Sequence, residues 1–458
     1  SSAIVIDPDT GDILGVVGAR GEKTGNRIQS YATTTFRSPG SSIKPLAVYG
    51  PALDSGLITY ASVFDDTPYS FTNDTAWPKN FDYYYRGLTN VRYSVENSLN
   101  TVSLKVLELV GLDKSFKYCR DTLQLGNLIE SRTLDDGRKI TDKGYAALAL
   151  GQLNYGLTVR EMTAAYSIFA NDGVYNEAHS YLKVEDSAGN TILQNDYKGT
   201  VAMSEASASI MTKLLQGVVA HSGYIKLDSK IELAAKTGSA GDNYDRWFIG
   251  YSPYYICGVW YGFTDARDVG YFKANPAAQI FDAVMGGIFD LIPQSERHTE
   301  FPKSGNVVTC LYCKDSGLVP SKSCLLDPRG HRIETGYFIK GTEPKEKCYV
   351  HREVRICSGG GVSLGECDEK TTVKSLIKVI RSFPCQIKIT DAQFVYRDLS
   401  PLKEPSLDVG KAYFESLLSS GEYCGTSGVQ SAYNRACPHY RYEEEHYEEK
   451  IYLPDEDE

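Results

Sequence analysis

The chain has 458 residues, enough for two or three domains and a sizeable core. Its 58 acidic against 48 basic side chains leave a net charge of −10, which argues against nucleic-acid binding, since that wants a basic face. No apolar run approaches the roughly 18 residues of a membrane span, and no signal peptide opens the chain.

Ala3 to Gly18 reads as two apolar strands around a Pro8-Asp9-Thr10-Gly11 turn, a hairpin. Residues 20–36 are polar loop. Pro39-Gly40 breaks that loop, and Ile43-Lys44-Pro45-Leu46-Ala47-Val48-Tyr49 opens an apolar helix predicted over 41–55. Pro45 suits the first helical turn, where its missing N–H has no partner to lose. The stretch 57–90 is rich in Tyr, Asp and Asn and lacks periodicity. Apolar spacing predicts helices within 91–125 and 143–171, as at Val102, Val106, Leu107 and Val110. A peripheral hairpin (182–193), a helix (204–220), a strand through Ala234-Ala235-Lys236, two further strands (246–251 and 255–263) and a closing helix (276–291) follow. Strand pairs bracketed by helices predict an α+β fold with an antiparallel sheet.

The chemistry centres on Ser41-Ser42-Ile43-Lys44. Residues i and i+3 share a helix face, so the Ser41 hydroxyl and the Lys44 amine can meet, whereas Ser42 points elsewhere. A lysine in a desolvated cleft can lose its proton near neutral pH and act as a base, so the pair is an activated nucleophile without a histidine. Ser375-Leu376-Ile377-Lys378 repeats the pattern with no turn before it and reads as chance. Ser98-Leu99-Asn100 follows 57 residues after Ser41, and Lys236-Thr237-Gly238 comes later at the end of a predicted strand. Lys23-Thr24-Gly25 repeats the last triplet in a polar loop and is set aside. None of the seven histidines falls near Ser41 and no Gly-x-Ser-x-Gly occurs, which disfavours a Ser-His-Asp hydrolase.

Ser-x-x-Lys, Ser-x-Asn and Lys-Thr-Gly in this order resemble the signature of penicillin-recognising serine enzymes. Flanking blocks extend the likeness. Arg37-Ser38-Pro39-Gly40-Ser41 to Pro45, Asn80-Phe81-Asp82 to Tyr85-Arg86-Gly87, Ala165 to Gly173, and Asp245-Arg246-Trp247-Phe248-Ile249-Gly250-Tyr251 are similar to the transpeptidase domain of class A penicillin-binding proteins. The resemblance covers residues 1–299. It implies a five-stranded antiparallel sheet flanked by helices, an α-helical subdomain, and no metal or cofactor at the site.

The resemblance also implies roles. Ser41 would attack the carbonyl between the two terminal D-alanines of a peptidoglycan stem peptide, and Lys44 would take its proton. Ser98 would relay a proton to the departing D-alanine, with the positive charge of Lys236 lowering the cost of that transfer, and Asn100 would orient Lys44 and hydrogen-bond the substrate amide. Thr237, Gly238 and Ser239 would bind substrate, with an oxyanion hole from the Ser41 and Ser239 N–H groups. β-Lactams, as mimics of the D-Ala-D-Ala end, would acylate Ser41, and a carboxypeptidase side reaction is compatible. Members of the family carry a membrane anchor and a glycosyltransferase domain ahead of this point. The chain therefore reads as an ectodomain on the extracellular face of a bacterial membrane, lacking both.

Two other functions compete. A serine β-lactamase needs a deacylating base, and Glu96-Asn97-Ser98-Leu99-Asn100 matches the Glu-x-x-Leu-Asn form only by overlapping the Ser98 motif. A non-catalytic β-lactam sensor or scaffold is the third reading.

Composition changes near residue 300, and nine of the eleven cysteines lie beyond it. In an oxidising exterior they read first as disulfides, with pairing undetermined. The rival reading is zinc, because Cys310-x2-Cys313, Cys324 and Cys348-x2-His351 have ligand-like spacing. Residues 300–355 resemble the Cys-rich extension of some Gram-positive class A proteins. Residues 356–440 read as a small appended domain, with a strand at Gln386–Thr390, a helix at Gly410–Leu418 and a possible role in contacting cell-wall assembly partners. Residues 441–458, with nine acidic side chains, read as a solvated tail.

Overall fold

The computed structural model describes residues 1–358 apart from breaks at 24, 73–74, 196–197, 228–230, 242, 266, 271, 273 and 297–298, and beyond them residues 363, 371–378, 388–391 and 394–395. The described residues gather into two compact units. One comprises Ser1–Tyr83, Thr89–Cys310 and Thr335–Glu343, and the other Tyr84–Leu88, Leu311–Glu334 and the residues from Pro344 onward.

The sheet of the first unit begins at the amino terminus. Strand β1 (Ser2–Ile6) turns into β2 (Ile13–Val17), with Asp7 Oδ1 accepting the Asp9 N–H at 2.8 Å and Gly11 at φ +85°. β3 (Ala234–Ala240), β4 (Asp245–Tyr251) and β5 (Ile256–Gly262) complete it, and the strands pair antiparallel in the order β3-β4-β5-β1-β2. The expected five-stranded antiparallel sheet is therefore present. β3 is an edge strand, and alternation puts Lys236 and Gly238 on one face and Thr237 and Ser239 on the other.

The helices of this unit include α1 (Gly50–Asp54), α2 (Val91–Glu96), α3 (Asn100–Val110), α4 (Tyr145–Leu150), α5 (Val159–Ala165), α6 (Glu205–Ser222) and α7 (Pro276–Leu291), with further short helices at Leu112–Lys117 and Ser167–Ala170. α7 covers one sheet face. Its Ala277, Ala278, Phe281 and Met285 pack with Ala3, Ala235, Phe248, Cys257 and Val259, and the Phe248 and Phe281 ring centroids lie 4.9 Å apart. Burying each such aromatic contributes about 1.5–3 kcal/mol. α5, started by a Thr158–Glu161 capping box, lies against the opposite face. The approach requires glycine, since a Cβ on Gly258 would stand 1.8 Å from Thr163 Oγ1.

The helix expected over 41–55 is continuous but not α-helical throughout. Gly40–Ile43 is a 3₁₀ turn, Pro45–Tyr49 is π-helical, and only α1 is regular. Pro51 gives the reason. It has no N–H to offer the Ala47 carbonyl four residues earlier, and the Ser115 hydroxyl donates to that carbonyl at 2.6 Å instead. The Gly50 N–H reaches back to Pro45 O, which closes the wider turn.

In the second unit, β6 (His351–Cys357) pairs antiparallel with β7 (Thr371–Ile377). Ser375 is buried in β7, where an extended strand cannot bring it to the Lys378 side chain as a helix would, so the repeated Ser-x-x-Lys is structural. Of the strand expected at 386–390, residues 388–390 make a single bridge, Ile389 to Tyr85, and 386–387 lie outside the described residues. The helix expected at 410–418, Cys367, Cys385, Cys424, Cys437 and the acidic tail also lie outside them.

The disulfide expectation does not hold for Cys310, Cys313, Cys324 and Cys348, which are thiols, as are Cys119 and Cys257. Cys313 Sγ and Cys348 Sγ stand 3.6 Å apart, against about 2.05 Å for a bonded pair. Among the described residues, no helix is long and apolar enough to cross a membrane.

Candidate active site

The segment carrying Ser41 is fixed from several sides before it turns. Arg37 forms a bidentate ion pair with Asp245 of β4, Nε to Oδ1 at 2.7 Å and Nη2 to Oδ2 at 3.2 Å. Trp260 Nε1 donates to the same Oδ1 at 2.8 Å. Trp247 Nε1 donates to Ser38 O at 2.9 Å, the Ser38 hydroxyl donates to Leu153 O at 3.1 Å, and Arg37 and Leu157 exchange both backbone hydrogen bonds. The buried Trp247 and Trp260 thus hold this loop.

Gly40 follows at φ +55°, and a Cβ there would lie 2.1 Å from Ser239 O. Only glycine lets this turn lie against the end of β3. On the other side of the contact, a Cβ on Gly238 would lie 2.2 Å from Pro39 O. The two glycines bring the backbones of residues 39–40 and 238–239 together.

Within the 3₁₀ turn the Lys44 N–H bonds to Ser41 O. Side chains at i and i+3 eclipse in such a turn, so Ser41 and Lys44 share a face as the spacing predicts. Ser42 is buried, its hydroxyl turned back to Pro39 O at 2.7 Å and its carbonyl accepting from Tyr166 OH at 2.6 Å. Ser41 is partly exposed. Among the described residues no hydrogen bond joins its hydroxyl to Lys44 Nζ, which points further in.

Lys44 is fully buried and donates to Ser98 O at 2.8 Å and to Asn100 Oδ1 at 2.7 Å, with Ser98 Oγ at 3.5 Å. Lys236, equally buried, donates to the Ser98 hydroxyl at 2.8 Å and to Thr237 O at 3.2 Å. Ser98 links the two amines. It does so from the turn between α2 and α3 rather than from a helix, at φ +54°, a conformation a non-glycine residue adopts only where its surroundings impose it. Asn100 opens α3 and is oriented by its neighbours. Its Nδ2 donates to Lys79 O and its backbone N–H to Asn80 Oδ1, both at 2.8 Å. Asn80 Nδ2 in turn donates to the buried Asp66 at 2.8 Å, which explains the Asn80 of the second sequence block.

Burial, and secondarily the charge of Lys236, hold the Lys44 pKa well below its usual value. Burial lowers Lys236 to about 7. Two buried amines cannot both stay charged cheaply, and the one flanked by the other's charge gives up its proton first. Arg246 was not singled out in the sequence beyond its place in the Asp-x-Trp-Phe block. Its register partner is Ser239, whose hydroxyl accepts from Arg246 Nη1 at 3.0 Å, while Arg246 Nη2 bonds Asn243 Oδ1. Arg246 Nε is buried without a partner among the described residues. Glu96, the lactamase-like candidate base, is ion-paired to Arg92 at 2.8 Å and faces Gly217 of α6.

Residues 1–286 match the penicillin-binding protein transpeptidase domain, and residues 303–353 match the C-terminal domain of penicillin-binding protein 1A. Penicillin-binding protein 1A of Clostridium botulinum (strain Hall) is 30% identical over 407 residues, covering 86% of this chain and 47% of the relative. That of Clostridium tetani is 32% identical over 373 residues, covering 77% and 44%. The chain thus spans about half the length of the curated relatives it matches. Among solved structures, penicillin-binding protein 1A from Haemophilus influenzae is similar with a TM-score of 0.57 at 24% identity, over 76% of this chain and 54% of that one. PonA1 from Mycobacterium tuberculosis in complex with penicillin V gives 0.53 at 22% identity, over 66% and 80%. These structures share the fold, and the match over residues 1–286 is more than half of the chain. The chain belongs to the penicillin-binding protein transpeptidase family.

Proposed function

We propose that the chain is a serine D,D-transpeptidase module that cross-links peptidoglycan stem peptides through an acyl-enzyme on Ser41, and that β-lactams inhibit it by forming the same bond. The observation that carries this reading is the hydrogen bonding of Lys44. A neutral amine has two N–H donors and one lone pair. With both donors committed to Ser98 O and Asn100 Oδ1, the lone pair is left to accept a proton. Lys236, as the amine that keeps its charge, donates to the Ser98 hydroxyl, and Lys44, once protonated, can donate to the same hydroxyl 3.5 Å away, so that Ser98 can pass its own proton onward.

In the forward reaction Ser41 Oγ attacks the carbonyl of the penultimate D-alanine as Lys44 takes its proton. The oxyanion forms against the Ser41 and Ser239 N–H groups, each donor of this kind contributing about 3 kcal/mol. The proton then travels through Ser98 to the departing D-alanine. An amine from a neighbouring stem attacks the ester, returning the proton along the same path and freeing Ser41. Asn100 orients Lys44 and the substrate amide. Thr237 and Ser239 offer hydroxyls to the substrate carboxylate, Gly238 allows the close approach, and Arg246 adds positive charge beside Ser239. The edge of β3 is available to an extended peptide backbone. Stem peptides lie outside the cytoplasmic membrane, so the same reading assigns the module to the extracellular face.

The test is a turnover assay with a D-Ala-D-Ala stem peptide and a free acceptor amine. We expect D-alanine release together with a cross-linked peptide, both lost in Ser41→Ala. Acylation without any aminolysis or hydrolysis product would favour the sensor or scaffold reading. Fast hydrolysis of penicillin itself would favour a β-lactamase, against the engagement of Glu96 with Arg92.

A further inference from the structure

The second unit holds a side-chain cluster that the acyl-transfer chemistry leaves unused. Cys313 ends a strand begun at Val307, Cys324 lies in the 3₁₀ turn Lys322–Leu325, Cys348 precedes β6, and His351 is its first residue. All four are buried, and their three sulfurs and one imidazole nitrogen lie within 4.8 Å of one another. Cys313 Sγ is 3.6 Å from Cys348 Sγ and 3.4 Å from His351 Nδ1, and Cys348 Sγ is 3.3 Å from the same nitrogen. Two zinc–sulfur bonds of about 2.3 Å at a tetrahedral angle span about 3.8 Å, and one sulfur with one nitrogen about 3.5 Å. Cys313, Cys348 and His351 already stand close to those separations, and Cys324 Sγ lies within 4.8 Å of all three. A disulfide would need about 2.05 Å, and pairing two of three converging cysteines would leave an odd thiol.

The back of the histidine is built as well. His351 Nε2 faces Asp327 Oδ2 at 3.0 Å and Asp315 Oδ2 at 3.3 Å. Carboxylates accept, so Nε2 carries the hydrogen and the Nδ1 lone pair is aimed at the sulfurs, the arrangement that orients a metal-bound histidine. Both carboxylates have fully buried side chains. Arg329 Nη2 lies 2.8 Å from Asp315 and 2.7 Å from Asp327, and Arg332 pairs with Asp315 at 2.8 Å. Two carboxylates and two guanidiniums cancel, leaving three thiolates as the uncompensated charge of the site. The same arginines argue against a cation on the carboxylate side of His351, where they already occupy the oxygens. The Ser321 N–H also donates to Cys324 Sγ at 3.4 Å, a contact that supports thiolate character.

We propose that Cys313, Cys324, Cys348 and His351 bind one zinc ion in a closed, structural site. Four protein ligands leave no position for water or substrate, so the ion joins three separate segments of chain rather than performing chemistry. Cys310, which the Cys-x2-Cys spacing offers as a ligand, is outside the cluster.

The experiment is elemental analysis of the full chain purified without chelator, followed by cobalt exchange and visible spectroscopy. About one zinc per chain is expected in the wild type and in Cys310→Ser, and less than a tenth of that in Cys324→Ser. Cobalt should give the intense bands of a tetrahedral thiolate site. His351→Cys keeps four ligands, so it should retain one metal and shift those bands to longer wavelength, a result that does not depend on whether Cys324→Ser folds. A metal-free wild type whose Cys313, Cys324 and Cys348 alkylate equally with and without chelator overturns the proposal. So does a disulfide between any two of them, seen as the loss of two hydrogens in the peptide mass.

Discussion

In the proposed mechanism Lys44 and Lys236 are two amines with opposite tasks, and their surroundings separate them. Lys44 must be neutral to accept the Ser41 proton, so acylation rises with pH as Lys44 loses its proton at its lowered pKa. Lys236 must be charged, so acylation falls as it deprotonates near pH 7. The second-order rate of penicillin acylation should therefore be bell-shaped in the free enzyme. Lys236→Arg, whose guanidinium does not deprotonate, should remove the falling limb. A profile that is flat through the neutral range in the wild type contradicts this assignment. Arg246 donates to the Ser239 hydroxyl beside the proposed carboxylate site. Arg246→Gln should weaken the reversible penicillin complex about tenfold, or ~1.4 kcal/mol, while the first-order acylation step changes little. An equal loss in both steps would give Arg246 a role nearer the reacting atoms. The resemblance gave the two lysines their roles, but neither the physical cause of their separation nor the place of Arg246 was legible in the sequence. The first depends on burial, and the second on cross-strand register.

At the scale of elements, motif spacing located Ser41, Lys44, Ser98, Asn100 and Lys236 because each block is local and its order is fixed. It did not foresee what converts spacing into geometry. The nucleophile's helix is 3₁₀, then π, then α, because Pro51 withholds a hydrogen bond from Ala47. Ser98 stands in a turn with positive φ rather than on a helix. The Ser115 hydroxyl that satisfies Ala47 O comes from 68 residues away, and no local pattern announces such a partner. Ser115→Ala removes the side-chain donor to that buried carbonyl and should destabilise the fold by about 1 kcal/mol in a denaturation experiment. An unchanged midpoint would mean that the π-helical turn closes without it.

At the scale of the molecule, the α+β architecture and the five-stranded sheet were readable because β1 and β2 open the chain with a strong turn and β4 and β5 are short, nearly continuous apolar runs. The cysteines were read less well. Composition and compartment favoured disulfides, but what decides between a bond and a ligand set is the meeting of Cys313, Cys324, Cys348 and His351 across three segments, which spacing alone could only suggest. The central claim remains that Ser41 is the nucleophile that Lys44 activates. It is tested most directly by intact-mass analysis after brief exposure to penicillin, with wild type beside Ser41→Ala. A single long-lived adduct on the wild type, and none on the variant, is the predicted result. An adduct of equal yield on Ser41→Ala, or none on either protein, would contradict the account.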